Sequence, residues 1–291
     1  MPPKPVEAPD GEANLNRNPH PDFTSVQASR VDYDSNKSWT LSKTPNPDWT
    51  YGSGASTTSW QDHNHTSIDP NEADRPSNLN YKLMISSTVP RPIALLSTIS
   101  KEGTRNLAPF SYFQAVSSDP PIYSISLVGA AAKDSLQNIL DTKEACISLI
   151  SDTFVEAANA TAINTPPHVS EWELAGLHQR ESRKVTVPHV AESAFSIECK
   201  YYSHQEIMSP RTGERSATLV LLEAVLWHVW EDAVGTDRAT VDIGKVRPVF
   251  RAGGITYGTC FDGFELPRPE AFRKLREKEE IKELIGESGK L

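Results

Sequence analysis

Two clusters in this sequence carry residue types suited to holding a ligand. Lys133-Asp134-Ser135 directly follows Gly129-Ala130-Ala131-Ala132 and opens a stretch in which Leu136, Ile139 and Leu140 repeat with helical spacing. A helix start presents unpaired backbone N–H groups and partial positive charge, so a lysine and a hydroxyl placed there complete a cradle for phosphate. The same residues also read as a plain helix cap, made by Asp134 or Ser135. In the second cluster Ser97-Thr98 precedes Asn106-Leu107-Ala108-Pro109-Phe110-Ser111-Tyr112-Phe113. Small hydroxyl residues expose backbone donors and the aromatics line a flat apolar slot, a combination that suits a planar heteroaromatic ligand with polar edges. Ser, Thr and Phe also occur on such strands for packing alone.

Other chemistries find no support. His63-Asn64-His65 lies in a polar stretch without a carboxylate cluster, and His168, His178, His189, His204 and His228 are dispersed, so no metal centre is expected. Neither a GxSxG elbow, a Walker loop nor a GxGxxG turn occurs, and Arg251-Ala252-Gly253-Gly254 offers a glycine pair without the required spacing. No catalytic acid, base or nucleophile is assigned.

The elements that must position these clusters are mostly strands. Tyr81, Met84, Ile85 and Thr88 have helical spacing ahead of Pro90. Strands are expected over 93–100, 107–116 and 122–128, separated by the turns 101–106 and 117–121, which makes an antiparallel meander. A helix over 133–142, a strand over 145–150 and a second helix over 152–162, capped by Asp152, follow. The expected strands 194–207 and 216–229 are long, as in a curved sheet closing into a barrel. Residues 267–285 read as a terminal helix, with Phe272 and Leu275 on a different side from Ile281, Leu284 and Ile285.

Composition bounds the reading. The 291 residues hold one or two domains. The apolar share is 37%, about 42% with the 15 glycines, a little below the ~45–50% of an ordinary globular chain. The dilution lies at the start, where residues 1–80 contain only seven Ile, Leu or Val. Residues 1–75 are therefore expected to be a polar, mostly disordered extension, although Trp39, Trp49, Tyr51 and Trp60 are many aromatics for free coil. A net charge of -9 argues against a nucleic-acid partner, and no apolar run is long enough for a membrane span or secretory signal. Three widely spaced cysteines, Cys146, Cys199 and Cys260, form no disulfide framework and fit a reducing, cytoplasmic setting.

Taken together, the segments resemble the flavin reductase-like family, FMN-binding split barrels that include flavoredoxin-type proteins. The resemblance rests on Pro90-Arg91-Pro92-Ile93-Ala94-Leu95-Leu96-Ser97-Thr98, Gly103, Asn106 to Phe113, Ser117-Ser118-Asp119-Pro120-Pro121, Lys133-Asp134-Ser135 with Asn138-Ile139, Glu173-Leu174-Ala175-Gly176-Leu177, and Pro188 to Ser193 leading into Ile197-Glu198-Cys199. It covers about 80–262. It implies a mainly β fold with α additions, a six-stranded antiparallel Greek-key barrel over 80–265, and a homodimer with FMN near the subunit interface; the expected C-terminal helix, 267–291, lies outside the resemblance. It implies that Ser97 and Thr98 meet the isoalloxazine edge and that Asn106 lies near its reactive face. Ser111, Tyr112 and Phe113 would line the flavin and ribityl region, and Lys133, Asp134 and Ser135 would hold the phosphate. Asn138, Arg91 and Arg251 to Gly254 with Tyr257 match less specifically.

The implied activity is hydride transfer from NADH or NADPH to FMN, with a downstream flavin-using oxygenase or other electron acceptor as partner. The flavin carries that chemistry and the protein supplies position and hydrogen bonds. One departure stands out: reductases of the family commonly carry a Gly-Asp-His motif where this chain reads Arg215 to Val225. The alternative is a flavin-binding electron carrier without NAD(P)H activity of its own.

Overall fold

A computed structural model describes residues 20, 22–129, 133–166 and 168–286; of the sequence clusters, Ala130–Ala132 and Pro167 lie outside the described residues. The chain divides into two units, one of residues 1–36 and 78–260 and one of residues 37–77 and 261–291.

The larger unit is built on one seven-stranded antiparallel sheet. Its strands are β1 (Ala94–Ile99), β2 (Arg105–Phe110), β3 (Phe113–Ser118), β4 (Pro121–Val128), β5 (Glu144–Leu149), β6 (Phe195–Met208) and β7 (Arg215–Val229), in the order β2-β1-β5-β6-β7-β4-β3. The two edge strands, β2 and β3, are consecutive in the chain. Only Ser111 and Tyr112 separate them, and the Tyr112 carbonyl accepts the Ser126 N–H at 2.9 Å, which holds the bend against β4. Arg105–Ser118 is thus one bent strand that pairs with β1 at one end and β4 at the other, so the sheet closes on itself as a barrel of six strands. The expected continuous strand 107–116 is broken at this corner. Register shifts at Glu198/Cys199, Tyr201/Ser203 and Ile207/Met208 bend the long β6–β7 ribbon, as bulges do when they add local twist.

Alternation along the strands sends Leu96, Ile147, Ile197, Leu222 and Ile125 inward, where Leu136 and Ile139 of helix α1 (Asp134–Thr142) complete the core. A second cluster lies on the other face of β1 and β2. There Leu95 and Leu107 pack with Phe154, Ala158 of α2 (Val155–Ala160) and Trp172 of α3 (Glu171–Ala175). The sequence reading places the start of α2 at Asp152. Instead the Asp152 carboxylate accepts from the Tyr33 hydroxyl at 2.6 Å and from the Arg247 Nε at 2.9 Å, which leaves Phe154 as the N-cap. Helix α3 has no counterpart among the expected elements, because five residues are too few to show a period.

Cys199 is buried in the barrel core and Cys146 beneath residues 182–187, with Val185 and Val187; burial pushes the Cys146 thiol up to about 12 and raises that of Cys199 as well, while Cys260 is half-buried. A thiol reagent at pH 8 is therefore expected to modify no more than one cysteine per chain in the native protein and all three in denaturant. Rapid native modification of two would mean that the barrel opens or that residues 182–187 lift from it.

The smaller unit is mostly irregular and exposed. Thr40–Ser42 pairs in parallel with Asp262–Phe264. A Cβ on Gly263 would come within 2.5 Å of the Trp39 indole, so this close approach requires glycine. The Trp49 Nε1–H donates to the Gly54 carbonyl at 2.9 Å and its ring meets Tyr51 edge-on at 5.5 Å, whereas Trp60 is exposed. In place of one terminal helix over 267–285 there are two, Phe272–Leu275 and Glu279–Ile285. Leu275 and Ile281 are the residues each buries, so two separate apolar faces meet their packing by breaking the helix between them. No described helix is long and apolar enough to cross a membrane.

Candidate functional site

The β1–β2 pairing sets Thr98 directly opposite Asn106. In α1, Ser135 and Asn138 stand three residues apart and so share a helix face. That face meets the strand pair: the Asn106 Nδ2 donates to Ser135 Oγ at 3.0 Å and the Asn138 Nδ2 donates to Thr98 Oγ1 at 3.0 Å. All four side chains are buried, so these two bonds both satisfy polar groups and fix the start of α1 against the barrel end.

This arrangement corrects the capping reading of Lys133 to Ser135. Neither Asp134 nor Ser135 is the N-cap. That position falls to Lys133, with extended backbone and no capping bond from its side chain. The Ser135 hydroxyl is engaged by Asn106 instead. Lys133 Nζ lies 5.5 Å from the centre of the Phe110 ring.

Beside the start of α1 is a cavity of about 530 Å³, lined by Asn106, Asp134, Asn138, Thr104 and His168 among others. Of the expected site residues it takes in Asn106 and Asp134. Ser97, Thr98, Ser111, Tyr112, Phe113, Lys133 and Ser135 are not among its lining residues. Burial pushes the Asp134 carboxyl up, and the charge of Glu171 adds to the effect. At its rim Lys101 pairs with Asp141 at 2.9 Å.

The remaining expected residues lie elsewhere. Ser97 points to the opposite face of β1 from Thr98, as strand alternation requires, and its hydroxyl donates to the Pro188 carbonyl. Phe113 is buried and stacks on Tyr123 at 5.7 Å. Burial pushes the Tyr112 hydroxyl up, with Tyr81 and Arg91 nearby. Ser111 is half-buried at the corner between β2 and β3. Arg91 donates to the Thr88 carbonyl at 2.8 Å and to that of Gly253 at 3.2 Å, so it fastens the helix-to-strand junction. The Arg251 guanidinium lies 4.4 Å from the Tyr257 ring, whose hydroxyl donates to Asn159 at 2.8 Å.

Sequence reasoning passed over Glu171. Its buried carboxylate accepts the Leu107 N–H at 3.0 Å, one residue from Asn106, and also accepts from the Thr165 hydroxyl. The available signal was an acidic residue after Ser170 just before Glu173 to Leu177, which reads as an ordinary helix start.

The barrel closed by a bent strand, with a polar helix start fixed at its end, defines a class, and comparison with known proteins identifies it. Residues 86–241 match the family model of the flavin reductase like domain, and the chain belongs to that flavin-binding family. A protein of Aquifex aeolicus is 37% identical over 184 residues, which cover 62% of this chain and 90% of that one. Among solved structures, nitrilotriacetate monooxygenase component B from Bacillus cereus superposes with a TM-score of 0.66 at 32% identity, over 70% of this chain and 100% of that one. The 2-nitrobenzoate 2-nitroreductase of Pseudomonas fluorescens gives 0.63 at 26% identity, over 70% and 97%.

Proposed function

We infer that this protein is an FMN-dependent oxidoreductase of flavin reductase type, which takes a hydride from NADH or NADPH and works as a homodimer. The observation that carries the reading is the start of α1. Lys133 is its N-cap and stands beside the N–H groups of its first turn, and two buried amide–hydroxyl bonds hold that end of the helix in place. That donor set fits the phosphate of a flavin mononucleotide. Bound there, flavin supplies the ring that accepts and passes on electrons.

The protein's own residues bind and orient. Lys133 and the helix N–H groups hold the phosphate, and Asn106 and Asn138 keep the helix and strands in register. Of the residues expected at the ring and ribityl chain, the half-buried Ser111 and Tyr112 are left to meet them, while Ser97, Thr98 and Phe113 are buried and act through packing and hydrogen bonds within the barrel. The similarity to a monooxygenase component B favours an oxygenase as the consumer of reduced flavin. The carrier reading is favoured by one observation: Arg215 to Val225, which lacks the Gly-Asp-His motif, lies within β7, paired with β6 and, over Ala217–Glu223, with β4.

The test is the anaerobic visible spectrum of the FMN-loaded protein before and after NADH or NADPH. Bleaching faster than for free FMN supports the reductase, a bound but unbleached flavin supports the carrier, and no bound flavin overturns both. Lys133→Ala is expected to weaken FMN binding by about 1.5–3 kcal/mol, the scale of a charge-assisted hydrogen bond. Unchanged affinity in a fluorescence titration would place the phosphate elsewhere.

A further inference from the structure

A second cavity, of about 780 Å³, shares no lining residue with the first. Its wall is made where residues 180–194 cross the outer face of the barrel next to the end of β7. Arg180, Arg183, Arg238, His189, Trp227 and Trp230 all line it.

Behind its lining residues Arg183, His189 and His228 is a built polar arrangement. The Glu198 carboxylate, fully buried, accepts the N–H groups of Arg183 at 2.7 Å, Lys184 at 2.6 Å and Val185 at 3.2 Å. Its Oε1 also lies 2.6 Å from His228 Nε2, and with the carboxylate as acceptor that nitrogen carries the proton. The His228 ring stacks on His189 at 4.2 Å with 18° between the planes. His189 is 3% exposed, yet neither of its ring nitrogens has a hydrogen-bond partner. The adjacent Val190 N–H goes to Ser148 Oγ at 3.2 Å. A buried polar group in this condition is costly and rare, and its position on the wall of a cavity gives it a use.

The charges around the opening favour an anion. Three arginines line it against two acids, and of these Asp232 is already paired with Lys245 at 3.1 Å, which leaves Glu231. The guanidinium forks of Arg180, Arg183 and Arg238 match the oxygens of phosphate. Three of them exceed what one carboxylate needs and suit a group with several negative charges. Trp227 and Trp230 keep 46% and 42% of their surface exposed, large rings left unburied beside a charged cavity, and offer faces to a planar base. The volume lies within the ~300–1,000 Å³ of small-molecule sites.

We propose that this cavity is a second ligand site, for a nucleoside diphosphate or a larger molecule containing one. The arginines take the diphosphate, a tryptophan face takes the base, and an imidazole N–H of His189 gains its missing acceptor. The site shares no lining residue with the cavity beside α1, and the proposal does not depend on the flavin assignment.

The probe is ADP, titrated by calorimetry and by tryptophan fluorescence against the full chain with and without FMN, with inorganic pyrophosphate as a second probe. Saturable ADP binding is expected in both states, with tighter binding than pyrophosphate. The double variant Arg180→Ser/Arg183→Ser alters exposed side chains and keeps the backbone N–H of Arg183 on Glu198; it is expected to weaken ADP at least tenfold and leave FMN affinity unchanged. His189→Phe, which keeps a stacked ring without a donor, is expected to weaken ADP several-fold. Four results would overturn the proposal: no saturation at millimolar ADP, ADP displaced by FMN, affinity indifferent to the double variant, or pyrophosphate binding as tightly as ADP. If FMN fails to bind but ADP binds with this dependence, the flavin reading falls and the second site stands.

Discussion

Glu198→Ala is expected to lower folding stability by about 3 kcal/mol at neutral pH, from the loss of charge-assisted hydrogen bonds to a buried carboxylate and the orphaning of a buried donor. The carboxylate sits on β6 with its side chain on the outer face, where residues 183–185 bring three consecutive N–H groups to it. Without it, the Arg183 and Lys184 amides can turn to water, because both residues are exposed, but Val185 is buried with Val187 and Cys146 and its N–H cannot. The segment would therefore lose its hydrogen bonds or its apolar packing. Glu198→Gln, which keeps acceptor capacity on one oxygen, should lose less.

The effect also has a pH signature. Burial pushes the Glu198 carboxyl up, but the amides of Arg183 and Lys184 and the His228 ring outweigh it and hold it below its ordinary 4.5. A carboxyl depressed in the folded state binds fewer protons there than in the unfolded chain, so its contribution is full above about 4.5 and drains away as pH falls through the folded value. The gap between wild type and Glu198→Ala should accordingly be widest at neutral pH and close in acid, as read from urea unfolding at pH 7, 5 and 3. A gap that stays constant would assign the loss to packing rather than to the charged hydrogen bonds.

How much of this was open to a reader of the sequence depends on range. The barrel strands are long, apolar and separated by Pro- or Gly-bearing turns, so local pattern suffices for β1, β4, β6 and β7. The corner at Ser111–Tyr112 is not marked in that way, because its cause is the Ser126 N–H on a different strand. Asp152 has the right type for an N-cap and the right place, yet Tyr33 and Arg247, both far away in the chain, claim its carboxylate. The candidate site shows the same division. Lys133, Ser135, Asn106 and Thr98 lie on motifs visible in order along the chain, and β1–β2 pairing brings Thr98 opposite Asn106. Ser97 neighbours Thr98 in sequence but faces the other way, a consequence of strand alternation that was available and went unused. Glu171 and the paired histidines could not be found, since their meaning comes from groups 64 and 39 residues away.

The second large effect joins the fold to the site. Trp172→Ala is expected to cost about 3–5 kcal/mol, the range for removing a large aromatic from a packed core. Trp172 is 2% exposed and fills the cluster formed by Leu95, Leu107, Phe154 and Leu177. A five-residue helix has almost no stability of its own, so α3 persists because Trp172 anchors it. Glu171, the residue before, holds the Leu107 N–H beside Asn106, so a loosened α3 should also release β2 at the site. Trp172→Phe makes the comparison sharp. It keeps much of the volume and removes an indole N–H that has no partner in the fold, so its cost should stay below about 1.5 kcal/mol. Urea unfolding of both variants, paired with FMN titration, separates the two roles. Trp172→Ala should lose stability and flavin affinity together, with both largely retained in Trp172→Phe. If the alanine variant loses stability while its remaining folded fraction binds FMN with unchanged affinity, then β2 keeps its geometry without α3 and Glu171 is a fastening of the fold alone.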